Sequence, residues 1–163
     1  MNRFSKLAVA AFVAVSAIPT LTAQTVKVGT FDRTSVAVAY YRSPQWTEVL
    51  KEKEIERQKA KQANNQERVK ELEQWGGSAQ ELAHKQVAGE ASIANIIEAL
   101  RPTFPEVAAI AHVAMIVSGL EYTDGTVESV DVTDLLLDQL KATQATRQIV
   151  EEMRKQKKSP NSP

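Results

Sequence analysis

The stretch from Gln45 to Trp75 contains neither glycine nor proline. It is rich in Glu, Lys, Gln and Ala, which favour helix. Ser43-Pro44 stands just before it. Serine caps the first free amides, and proline suits the first turn, where its missing N–H costs nothing. A helix from Pro44 to Trp75 would be about 48 Å long at 1.5 Å per residue. Seven acidic and seven basic side chains are interleaved along the stretch. Many i,i+4 neighbours carry like charge, among them Glu48–Glu52, Glu52–Glu56 and Lys53–Arg57. The helix therefore rests on length and propensity more than on charge pairing.

Gly76-Gly77 follows, and glycine commonly sits just past a helix end. Ser78-Ala79-Gln80-Glu81 then has the S-x-x-E spacing of a capping box. The sequence predicts a return helix from Ser78 to about Arg101, stopped by Pro102. The two helices would form an antiparallel hairpin about a tight glycine turn. With the turn at Gly77, Leu72 opposes Leu82, Ala63 opposes Ala91, Ala60 opposes Ala94 and Leu50 opposes Phe104. Between Lys51 and Arg68 only Ile55, Ala60 and Ala63 are counted as apolar. That seam is thin for a coiled coil.

The flanks read differently. Val26 to Phe31 alternates as a short strand. Asp32 and Thr34 can open a short apolar helix to Tyr41. Pro105 starts another, to about Ala111. Val113 to Val117 reads as a buried strand, turned at Ser118-Gly119, with Leu120 to Tyr122 expected as its partner. Thr123-Asp124-Gly125 is a turn signal, and Val130 to Val132 a further extended piece. Thr133 is expected to cap a last helix, with Asp134 in its first turn and an apolar face of Leu135, Leu136, Leu137 and Leu140. The predicted class is α+β, mostly α. A small β body, 24–43 and 102–141, comes from both ends of the mature chain. A helical-hairpin arm, 44–101, is inserted into it. A C-terminal extension, 142–163, is helical and then disordered.

Arg3 and Lys6 precede an uncharged run of 12 residues, Leu7 to Ile18, and Leu21-Thr22-Ala23 follows. This is the order of a secretory signal peptide, with cleavage near Ala23. The run is short of the roughly 20 residues that span a bilayer, and no twin-arginine pair is present. The alternative is a buried N-terminal helix. Cleavage leaves 140 residues carrying 18 basic and 20 acidic side chains. Such a balance gives no field to capture nucleic acid, and a membrane-surface contact finds no support in it. The absence of cysteine excludes disulfides and thiol catalysis. His84 and His112 lack a second histidine at i+3 or i+4, so no metal site is predicted. No nucleophile elbow occurs. The sequence predicts no catalytic residue, no metal and no cofactor.

Val26 to Val36, VKVGTFDRTSV, and Leu120 to Leu140, LEYTDGTVESVDVTDLLLDQL, resemble the opening and closing segments of the Skp/OmpH family. The closing segment, with its aspartate–apolar–threonine–aspartate helix start at Asp131-Val132-Thr133-Asp134, is the more similar of the two, and the order of the elements carries the resemblance. The resemblance implies a periplasmic homotrimer in which strands make a shared body and helical arms enclose a cavity. It implies ATP-independent holding of unfolded outer-membrane proteins. On that reading Val69, Trp75, Val87, Ile93 and Ile97 are candidate client contacts on the arms, with Trp75 at the tip and Trp46 at the base. Val26, Val28, Val113, Ile116 and Val117 are candidate oligomerisation residues, because a few short strands bury too little alone. The alternative for these five is an ordinary monomeric core. The alternative function is an oligomeric coiled-coil spacer of the envelope with one fixed partner.

Overall fold

The computed structural model describes residues 25–123 and 125–158. The expected signal peptide and the expected disordered end, 159–163, lie outside the described residues. The architecture is mostly helical with one small sheet. Three parallel strands lie in the order β2-β1-β3: β1 (Val26–Thr30) is central, β2 (Met115–Val117) lies on one side and β3 (Val127–Asp131) on the other. Leu120 to Tyr122, expected to pair with the preceding strand, forms no strand. The partner of β1 on that side of the chain is β3, held in register from Val26↔Val127 to Thr30↔Asp131. Periodicity in so short a run does not identify which strand it joins.

Gly29 marks the sheet face that meets the helices. A Cβ there would lie 3.1 Å from Val132 Cγ1 and 3.2 Å from both Ile116 Cγ1 and Val113 Cγ2. Only a residue without a side chain lets these three close over the central strand.

Helix α1 (Arg33–Tyr41) is buried from Thr34 to Tyr40. A helix apolar all round belongs inside. The Asp32 side chain caps it, accepting from Ser35 N at 2.8 Å. Packed around α1 are α4 (Ala94–Leu100), α5 (Phe104–Ala111), α6 (Thr133–Gln139) and α7 (Gln144–Lys158). Ile96, Leu100, Val107, Leu136, Leu137 and Val150 complete the core. Thr133 is the first residue of α6, not its cap: its N–H and hydroxyl both donate to Asp131 Oδ1, and its hydroxyl oxygen accepts from Asp32 N at 3.0 Å. The segment after Ala142, expected as an extension of the body, is built into it. Val150 is buried, and Arg154 Nε donates to Ser35 Oγ at 3.2 Å.

The hairpin exists, but its turn is elsewhere. Helix α2 (Pro44–Gln62) is capped by Ser43, whose Oγ accepts from Trp46 N. The chain reverses at Ala63–Asn65, and α3 (Gln66–Ala88) runs straight through Gly76-Gly77. Asn64 takes a left-handed backbone with φ 53°, which asparagine tolerates. Asn65 Oδ1 accepts from Arg68 N at 3.0 Å, so it caps α3. Ser78 is therefore mid-helix, and the expected capping box and the Leu72–Leu82 pairing are both overturned. Each glycine in a helix interior costs about 1 kcal/mol against alanine. Packing of α3 against α2 and α1 on either side of the pair outweighs that cost. The return helix ends at Ala88, well before Arg101, because Gly89 turns left-handed at φ 82°.

Candidate functional site

The arm combines a narrow apolar seam with several exposed ion pairs beside it. Arg68 joins Glu56 across the hairpin and Glu71 on its own helix, at 2.6 Å for the latter. Arg57 pairs with Glu54 at 2.8 Å and reaches Glu73 at 3.7 Å. The seam itself buries Ala60, Val69 and Leu72. Residues 61–67 at the tip are all exposed, while Leu50 and Ile55 are 45% and 47% exposed on α2.

Where arm meets body, aromatic residues gather. Tyr40, Tyr41, Trp46 and Trp75 stack in sequence, with ring centroids 5.0 to 6.2 Å apart in edge-to-face and tilted geometry. These are favourable aromatic arrangements. Lys53 Nζ lies 5.8 Å from the Trp75 ring, at cation–π range. The rings, with Val49, Ala79, Leu82 and Asn95, line an open cleft of about 430 Å³. Beneath it Gln86 is buried and fully engaged. It accepts from the Tyr41 hydroxyl at 2.5 Å and donates to Asn95 Oδ1 at 2.6 Å and to the Ser92 carbonyl. Burial pushes the Tyr40 hydroxyl above its ordinary value. It does the same to Tyr41, against a weaker opposite pull from Asn95. Both phenols therefore stay protonated near neutral pH. The cleft offers ring faces and aliphatic groups, with Ser78 and Asn95 as its polar lining.

The second surface is the outer face of the sheet. Side chains alternate along a strand, so the register places Val26, Val28 and Thr30 on the face away from Gly29, beside Met115, Val117, Val127 and Ser129. None of these belongs to the core cluster. Val26 is 46% and Met115 52% exposed. Parallel sheets occur almost only with both faces covered.

These placements sort the expected residues. Of the five arm candidates, Val69 is buried in the hairpin seam and Ile93 in the body core, so neither offers surface to a client in this conformation. Val87 and Ile97 pack partly buried against the core. Trp75 alone lines the cleft, at the root of the arm and not at its tip, because the turn lies at Asn64. Of the five body candidates, Val26, Val28 and Val117 share the outer sheet face, whereas Val113 and Ile116 face the chain's own core beside Gly29. Sequence reasoning missed Tyr40 and Tyr41 as cleft-lining residues and Leu50 as an exposed apolar group. The adjacent Tyr40-Tyr41 pair at a helix end was the available signal.

Asp32 and Asp131, at the carboxyl ends of β1 and β3, are both engaged in helix-start hydrogen bonds. Among the described residues no group of three or more His, Cys, Asp or Glu could hold a metal ion, and no helix is long and apolar enough to cross a membrane. No protein-family model matches the chain, and neither a curated protein nor a solved structure matches it.

Proposed function

We propose that this chain is an ATP-independent periplasmic holdase resembling the Skp/OmpH proteins. Subunits join through the outer faces of their sheets, three to an assembly, and the α2–α3 arms surround an unfolded outer-membrane protein. The observation that carries this reading is a parallel sheet whose outer face leaves the apolar Val26 and Met115 about half exposed around a buried Val28, attached to a hairpin that buries little of itself. Exposed apolar groups on a parallel sheet ask for another protein surface. Weak contacts repeated on several arms raise the effective concentration of a client without demanding one sequence. Leu50, Ile55, Leu82 and Trp75 replace Val69 and Ile93 as the client contacts, since they carry exposed or cleft-lining surface.

The spacer reading draws on a different feature. The arm is laced with ion pairs and exposes few apolar groups, which suits a solvated strut. One experiment separates the two. Denatured porin is diluted into buffer without ATP, with the purified chain or its Leu50→Asp/Leu82→Asp variant. The holdase reading expects a three-subunit mass, suppressed aggregation by the parent chain and loss of most of that effect in the variant. A single-subunit mass at micromolar concentration with no suppression would end it. Suppression absent from an intact oligomer favours the strut.

A further inference from the structure

Gly76 and Gly77 lie in the middle of α3. Neither takes a positive φ. A Cβ added to either would meet nothing within 4 Å. Neither turn geometry nor close packing within the chain asks for glycine at these two positions. What glycine does bring is a weak hydrogen-bond ladder, because it loses the most backbone freedom on ordering.

The position of the pair gives that weakness a consequence. On its N-terminal side, α3 is clasped by α2 through Arg68–Glu56, Arg57–Glu73 and Trp46–Trp75. On its C-terminal side, α3 is clasped by the body through the Tyr41–Gln86 and Gln86–Asn95 hydrogen bonds. The glycines thus lie between the two sets of clasps, with Trp46 and Val49 of α2 still facing Ser78, Ala79 and Leu82 across the cleft. The other chain crossing changes helix beside the same cleft: α1 ends at Tyr41 and α2 begins at Pro44, with Arg42 and the buried Ser43 between them, Ser43 N donating to the Tyr40 carbonyl at 3.0 Å. Proline supplies no N–H to continue the ladder there.

We propose that Gly76-Gly77 and Arg42–Pro44 form a two-stranded hinge, on which residues 44–75 swing as one unit and open or close the aromatic cleft. Trp46 and Trp75 ride on the moving side. Tyr40, Tyr41, Ala79 and Leu82 stay with the body. Bending at the glycines leaves the arm's ion pairs and the Gln86 network intact, since both lie wholly on one side of it. Opening parts the tryptophans from the tyrosines and exposes ring faces to an entering side chain.

The two tryptophans of the chain both line the cleft, so intrinsic fluorescence reads it directly. The Gly76→Ala/Gly77→Ala variant fills open space with better helix formers and keeps the fold. In the full chain without client, acrylamide quenching of tryptophan should fall about twofold in the variant, and amide exchange at Ser78–Glu81 should slow roughly tenfold or more. Exchange in α6 should stay as in the parent. Quenching and exchange equal to the parent's would overturn the hinge. So would uniform protection along α3 in the parent itself.

Discussion

Set beside the body, the arm buries little of itself. In the body, Ile96, Leu100, Val107, Leu136 and Leu137 lose almost all contact with water. Each such side chain contributes about 1.5–3 kcal/mol on burial. In the arm, only Ala60, Val69 and Leu72 are comparably covered, and Arg57 and Arg68 tie the helices with solvent-facing pairs. Exposed ion pairs contribute little and are screened by salt. The body is densely buried, and the arm is a pair of helices joined along a narrow apolar seam flanked by exposed ion pairs. One chain thereby combines a densely buried base with a sparsely buried limb, and the aromatic cleft lies at their junction.

That contrast can be broken by mutation. Leu136→Ala, at a site with no exposure, should cost about 3–5 kcal/mol in urea unfolding. Leu50→Ala, at 45% exposure on the arm, should stay within about 0.5 kcal/mol. Equal losses would mean that the arm is as firmly packed as the body. Gly29→Ala comes next. Its methyl group would press on Val132, Ile116 and Val113, and overpacking of this kind costs about 1–3 kcal/mol. A neutral result would show that the sheet can ease away from the helices.

Gln86→Leu tests the junction. It removes the acceptor of the Tyr41 hydroxyl and the donor to Asn95 and Ser92, stranding polar groups at a part-buried site. The expected loss is about 1–2 kcal/mol by thermal unfolding, with a changed tryptophan emission as the cleft loosens.

Acid gives the smallest and most local effect. The Arg57 guanidinium, with help from Gln58, holds the Glu54 carboxyl below its ordinary value, and Arg68 then Lys53 do the same for Glu56. A folded pKa below the unfolded one means the stabilisation is full above the unfolded value, 4.5, and is lost as pH falls through the folded value. Below about pH 4.5 the protection factors of amides in α2 and the first half of α3 should therefore fall before those of α1 and α6. Simultaneous loss would contradict the division of forces.

Local signals were read correctly where a side chain acts on its own neighbours. Asp32 caps α1, and Ser43 with Pro44 opens α2, as their chemistry requires. The helix end at Gly76-Gly77 failed because a glycine pair only lowers the stability of a helix, and neighbours on both sides restored it. The Asn64-Asn65 pair carried the true turn. Its signal is weak in the sequence, because asparagine tolerates the left-handed backbone in many settings and reverses the chain only where the flanking helices pack together.

The cleft was less legible still, since Tyr41, Trp46 and Trp75 meet only once the turn is placed at residue 64. By itself the sequence determined the helical character of the arm, the strand β1, and the helix starts at Asp32 and Ser43, all of which depend on residues within a turn of one another. Only the tertiary structure decided which strand joined β1, where the hairpin reversed, and which valines and isoleucines faced water. Those outcomes depend on contacts between distant segments, whose energies exceed the local preferences of glycine, asparagine or a three-residue strand.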